Sequence, residues 1–340
     1  MQSRPKKVLQ TALGFLLAAL FLYLAFRGVS FKDLWASLQD VDYIWVALLV
    51  PIVVISHWLR ALRWRYLLAP VKEHIPTRNL FSAVMIGFMV NNLLPRVGEV
   101  TKAIAVGRSE HISNSSVFGT VVIERIIDMV TFLFILCVVL FLYPASLEVF
   151  VDNANAVRPL FLIGSIGFLA FFVVLFFKAE SLFRLLAYLK RFIPKRFETK
   201  YQALLDSFLS GFGVAKMRNQ YGIITLLSLL IYFSYAMSLY VPFNAFHTMA
   251  GHNLDFGAAM ILLTISTIAF AFPAPGALGT YHQFLSFALV KLYGVDNVTA
   301  LSFSIITHEM GYLITTVVGL FYFFKDHLRL SEVVNGTADN

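Results

Sequence analysis

Long apolar runs separated by short polar segments dominate the chain, and their lengths are its first structural information. A helix rises about 1.5 Å per residue, so roughly 20 apolar residues in succession cross the hydrocarbon of a bilayer. The runs at residues 8–26, 43–59, 117–143, 159–177, 221–241 and 301–324 predict transmembrane helices on that basis. Two further apolar stretches, 79–94 and 256–272, are shorter and end in helix-breaking residues. The first runs into Pro95-Arg96-Val97-Gly98-Glu99, the second into Pro273-Ala274-Pro275-Gly276-Ala277-Leu278-Gly279. Each break is followed by a short helical pattern, which predicts a helix that enters the membrane and turns back. The expected fold class is an all-α integral membrane protein. It would have about six transmembrane helices plus two opposed re-entrant helical hairpins, arranged as an inverted-repeat transporter in one membrane domain over residues 1–330.

Composition supports this reading. Hydrophobic residues make up 59% of the 340 and charged residues 14%, against roughly 45–50% and about 25% in soluble domains. No room is left for a soluble catalytic domain, and an enzyme is not expected. The net charge of +8 does not indicate nucleic acid, because the basic residues lie in short segments beside apolar spans, where the positive-inside rule places them. The single Cys137 excludes an internal disulfide. Arg4, Lys6 and Lys7 lead into an apolar run with no small-residue cleavage pattern, so the N-terminus reads as a retained helix.

Charge also predicts topology. If both interrupted segments are hairpins, every Lys and Arg falls on one face except Arg27, Lys32, Arg158 and Lys291, with Arg125 inside a span. That face is cytoplasmic and holds both termini, in the cell (inner) membrane. The first hairpin (79–108) then enters from the cytoplasm and the second (256–293) from outside. Full crossing by either one is the alternative; crossing by the first would put the basic stretch 178–218 outside. That stretch carries apolar residues at helical spacing and predicts interfacial helices on anionic lipid. Residues 331–340 read as a disordered tail.

The two halves repeat an order of parts: apolar helix, Pro-x-x-Gly break, short helix, polar loop, long ionisable span. Pro95 and Gly98 align with Pro273 and Gly276, and Glu124-Arg125 with the neighbourhood of His308-Glu309. Two unrelated Pro/Gly turns are the alternative. Glu124, Arg125 and Asp128 share one span, where each charge costs about 2.5–3.5 kcal/mol on insertion scales. The spacing puts Glu124 and Asp128 on one helix face with Arg125 able to pair, as structural glue or as a substrate path. Asn91, Asn92, Arg96, Glu99 and Lys102 cluster at the first break, where a helix end and Arg96 suit a phosphate. Lys102 and Arg108 read as flanking cytoplasmic charges. In the second half, His282, His308, Glu309 and Tyr312 are the polar candidates, with helix breaks at Pro273, Pro275, Gly276 and Gly279. Metal binding by His282, His308 and Glu309 is the alternative, but no tight metal-ligand spacing, nucleophilic triad, Walker loop or dinucleotide fingerprint is present, so neither metal nor cofactor is expected.

At Asn92-Leu93-Leu94-Pro95-Arg96-Val97-Gly98-Glu99, Val122-Ile123-Glu124-Arg125-Ile126-Ile127-Asp128 and Pro275-Gly276-Ala277-Leu278-Gly279, the sequence resembles the lysylphosphatidylglycerol synthase transmembrane family. This is a flippase-like membrane domain, fused in some members to a cytosolic aminoacyl transferase whose lipid product it is held to move outward. The chain contains no transferase module, so the resemblance implies a flippase-like role without synthase activity. It departs from the family at His282, where an acidic residue is usual, and at His308, where Arg is usual. The expected partners are membrane lipids with an anionic or modified headgroup, including lipid-linked saccharides. The alternative is a non-transporting subunit that supports a separate lipid-modifying or glycosyl-transferring enzyme. Oligomeric state is left open.

Overall fold

A computed structural model describes residues 4–94, 97–149, 151, 154–177 and 218–326, and every regular element among them is helical. The N-terminal half runs α1 (Arg4–Phe26), α2 (Phe31–Gln39), α3 (Tyr43–Ala47), α4 (Leu49–Leu68), α5 (Thr77–Leu93), α6 (Val97–Glu110), α7 (Asn114–Leu142) and α8 (Ala154–Phe177). The C-terminal half runs α9 (Tyr221–Tyr240), α10 (Phe256–Ala271), α11 (Thr280–Tyr293) and α12 (Asn297–Lys325). The predicted interfacial helices within 178–217, the tail after 326, and Pro95 and Arg96 lie outside the described residues.

Four helices are long and apolar enough to cross a bilayer: Tyr43–Leu68, Asn114–Leu142, Tyr221–Ala245 and Asn297–Lys325. A fifth is counted if Leu13–Phe26 and Phe31–Gln39, bent by 80°, form one broken span. Residues 156–171 of α8 add a shorter apolar helix. Outward-facing Phe15, Leu16, Phe141, Leu160, Ile163 and Phe168 leave an apolar exterior, which suits lipid and not water.

The two interrupted segments occupy the interior. α5 buries ten of its 17 residues, and α10 likewise buries ten of 16. Both stop where the breaks are expected. Leu94 turns extended after α5, and Phe272 does so after α10. Gly98 does not form the break itself: it is the second residue of α6 and lets the α6 backbone lie against α5. A Cβ added at Gly87 would stand 2.9 Å from the Gly98 carbonyl oxygen. At the second break, Pro275–Ala277 form a single 3-10 turn, with φ of +57° at Gly276. Gly279 follows at φ +79°, a left-handed conformation open to glycine. The helix, break, helix, long-helix order has lengths of 17, 14 and 29 residues in α5–α7 and 16, 14 and 29 in α10–α12.

Candidate functional site

The largest polar feature is a buried charge cluster where α4, α6, α7 and α9 meet. Arg60 and Arg63 are three residues apart on α4, and Glu124 and Asp128 are four apart on α7, so each pair shares a helix face. The faces oppose one another. Arg60 Nη1 donates to Glu124 Oε1 and to Asp128 Oδ2, both at 3.1 Å. Arg63 Nη2 donates to Asp128 Oδ1 at 2.6 Å and lies 3.6 Å from Glu124 Oε1. From α6, Lys102 donates to Glu124 Oε2. Arg125 closes the set at 3.4 Å from Glu124 and 3.5 Å from Asp128.

Neighbouring groups hold these side chains in register. Arg63 donates to Ser228 Oγ at 2.9 Å, Arg60 donates to the Tyr235 hydroxyl, and the Tyr232 hydroxyl donates to the Asp128 carbonyl at 3.0 Å. Trp64 donates to Thr120 at 2.9 Å and offers its ring to Lys102, whose Nζ is 4.5 Å from the centroid. Phe88 and Tyr235 flank the Arg60 guanidinium at 5.4 and 5.5 Å. Cation–π contacts of this kind strengthen as water is removed.

Four cations thus meet two carboxylates. Arg60, Arg63 and Lys102 are buried with Glu124 and Asp128, three cations against two carboxylates, and the fourth cation, Arg125, is exposed. Glu99, held by Asn91 at 3.2 Å, is within electrostatic reach of Arg125. Counting it still leaves one positive charge in excess among the described residues. Two buried nitrogens here, Arg63 Nε and His57 Nδ1, have no protein hydrogen-bond partner. The cluster also reaches the surface, because the Arg125 side chain is 42% exposed. Such a set can hold an anion that enters past Arg125.

The two breaks meet a short distance away. The Asn92 side-chain amide lies 3.0 Å from Thr315 Oγ1 and 2.9 Å from Thr316 Oγ1, and the Tyr312 hydroxyl donates to the Asn92 carbonyl at 2.9 Å. Gly98 N–H donates to Asn91 Oδ1 at 2.8 Å, so one Asn stitches α5 to α6 and the next stitches α5 to α12. At the second break, His308 Nε2 meets the Gly276 carbonyl oxygen at 2.9 Å, and His308 Nδ1 lies 3.1 Å from Glu309 Oε1. His282 Nε2 approaches the same carboxylate oxygen at 3.8 Å.

The structure therefore brings Glu124, Arg125 and Asp128 into one site, and Asn92, Tyr312, His308 and Glu309 into a second one beside the breaks. Both α7 carboxylates face protein and not the lipid annulus. Lys102 is not the flanking charge that its sequence position suggests: it is buried and paired with Glu124. Arg108 is exposed. Sequence reasoning missed Arg60, Arg63, His57, Tyr232 and Tyr235. Its second span stopped at Leu59, and the basic run Arg60-Ala61-Leu62-Arg63-Trp64-Arg65 read as cytoplasmic flank. The signal was the three-residue spacing of Arg60 and Arg63 in phase with Trp64, on a helix that continues to Leu68.

Comparison with known proteins agrees with this architecture. The family described as the lysylphosphatidylglycerol synthase TM region matches residues 11–319. A UPF0104 membrane protein of Pyrococcus horikoshii is 25% identical over 92% of this chain and 95% of its own. A UPF0104 membrane protein of Methanothermobacter thermautotrophicus is 27% identical over 62% and 66%. Glycosyltransferase AglD of Haloferax volcanii is 23% identical over 96% of this chain, which accounts for 56% of AglD. No solved structure matches the chain.

Proposed function

Because the chain belongs to the family of the lysylphosphatidylglycerol synthase TM region, we propose that it moves an anionic or modified lipid between the leaflets of the membrane. The phosphate-bearing headgroup would be received at the buried cluster. The observation that carries this reading is the excess of buried positive charge around Glu124 and Asp128, reaching the surface at Arg125. A buried cation without a counter-charge is costly, and a phosphate supplies that charge together with acceptors that match guanidinium donors. Phe88 and Tyr235 place aromatic rings beside the Arg60 guanidinium.

Matching helix lengths on either side of the two breaks suit a repeat of the two halves, and the charge bias of the sequence reads it as an inverted pair of re-entrant hairpins with both termini in the cytoplasm. The expectation from sequence that Arg96 holds the headgroup phosphate falls on a residue outside the described ones. No nucleotide fingerprint appears in the sequence, so the movement is read as downhill or ion-coupled and the chain as a non-enzyme.

The test is leaflet exchange by the purified protein in vesicles, with fluorescent phosphatidylglycerol against phosphatidylcholine in a bleaching assay. Exchange that favours the anionic lipid and falls in Arg125→Gln but not in the exposed control Arg78→Gln is the expected outcome. Equal exchange of both lipids, or none, overturns the reading.

A second reading has its own support. In AglD the matching region belongs to a longer protein named a glycosyltransferase, which suits a membrane subunit that presents a lipid carrier to a separate glycosyl-transferring enzyme. Headgroup binding without leaflet exchange would favour it.

A further inference from the structure

The second break carries chemistry that the lipid reading does not use. We propose that His282, His308 and Glu309 form a binding site for a divalent transition-metal cation of the Zn2+ class. Their candidate donor atoms all lie within 4.8 Å of one another, on residues that come from α11 and α12. Bonds of about 2.0–2.1 Å to imidazole and carboxylate put neighbouring ligands of a tetrahedral ion slightly more than 3 Å apart. The observed 3.1 Å from His308 Nδ1 to Glu309 Oε1 and 3.8 Å from His282 Nε2 to the same oxygen need only small adjustments.

Three features point to a cation. First, the Gly276 carbonyl fixes the tautomer of His308: Nε2 carries the proton and donates to it, which turns the Nδ1 lone pair toward Glu309. A carbonyl-anchored imidazole is the usual outer support of a metal-bound His. Second, that lone pair faces a carboxylate oxygen, and two acceptors at hydrogen-bond distance require a positive species between them. Third, Glu309 lies near the middle of the 29-residue α12 with its side chain 48% exposed. A charge there is penalised by about 2.5–3.5 kcal/mol on insertion scales, and a bound cation offsets it. Both imidazoles are buried, so they suit a borderline-soft ion and not Mg2+, which prefers oxygen ligands and keeps its waters.

His282 is the weakest of the three ligands. Its Nδ1 accepts from Gly279 N–H at 3.4 Å, a long bond that must open when Nε2 takes the metal. The positive end of α11 also opposes a cation there. The carboxylate is therefore essential. With three protein ligands, a fourth position remains for water or a ligand oxygen. The ion would cross-link α11 to α12 across the turn at Gly276.

The full chain, purified in detergent, stripped with chelator and freed of any polyhistidine tag, is titrated calorimetrically with ZnCl2 and, in parallel, MgCl2. X-ray absorption is recorded on the Zn2+-loaded sample. One Zn2+ per chain, nitrogen and oxygen neighbours without sulfur, and no Mg2+ binding are expected. Affinity should fall at least tenfold in His308→Ala and in Glu309→Gln, and less in His282→Ala. Glu309→Gln keeps size at a half-exposed position, so it remains informative if a histidine variant fails to fold. No Zn2+ binding, equal binding of Mg2+, or one equivalent of Zn2+ retained in Glu309→Gln overturns the site. So does a pH-dependent melting point in metal-free protein with no shift on adding Zn2+, because a proton would then be the species between His308 and Glu309.

Discussion

The two helix breaks sit in comparable structural frames and hold opposite chemistries. Beside the first, six ionised side chains from α4, α6 and α7 are packed with cations in excess, and most are shielded from solvent. Beside the second, two buried imidazoles share one half-exposed carboxylate. On the proposals above, the first cluster would receive an anion and the second a cation or proton. The Asn92 amide bonded to Thr315 and the Tyr312 hydroxyl bonded to the Asn92 carbonyl tie α5, which ends at the first break, to α12. The difference in burial also divides their roles. The first cluster must contribute to folding as well as binding, because all of its charges but Arg125 are buried, whereas Glu309 can change its partner without unfolding the bundle.

Four substitutions test that division. Asp128→Ala should have the largest effect, because it leaves Arg60 and Arg63 buried with half of their counter-charge; removing one partner of a buried pair costs roughly 3–5 kcal/mol. Folded yield and thermal unfolding in detergent measure it, and a variant as stable as the parent would show that the cluster is not a structural network. Arg125→Gln comes next and should separate binding from stability. Its exposed side chain supports little folding energy, while affinity for a phosphate-bearing lipid should weaken by about 1.5–3 kcal/mol, the scale for a hydrogen bond to a charged group. Arg96→Gln should act in the same direction. If Arg125→Gln and Arg78→Gln bind anionic lipid alike, the first cluster is not the headgroup site. In metal-free protein Glu309→Gln should cost the least stability of the set, since it removes a half-exposed mid-span carboxylate whose charge is itself costly there. A large loss of folded protein in this variant would mean that the second cluster is as structural as the first, and the contrast between them would collapse.

Much of this was legible in the chain. Apolar run length marked the four long spans, and the Pro/Gly breaks marked the ends of α5 and α10 to within two residues. Charges too costly for lipid flagged Glu124, Arg125 and Asp128 as residues that need partners within the protein, and they share one charge cluster. Lys102 was misread for a physical reason: a basic residue after a break looks like a cytoplasmic flank until α6 folds back on α5 through Gly87 and Gly98. Arg60 and Arg63 were hidden in the same way, since a basic run at the end of an apolar span matches the positive-inside pattern whether it faces water or the protein interior.

Amino-acid order by itself determined that this protein is a helical membrane protein with two interrupted helices, because hydrocarbon demands long apolar segments with their backbone hydrogen bonds made internally. Only the tertiary structure decided which charges face each other. Partners such as Arg60 and Glu124, or His282 and Glu309, lie on different helices far apart in the chain. Coulomb attraction and ligand geometry act over a few ångströms of space, and no spacing along a single helix encodes a distance between two of them.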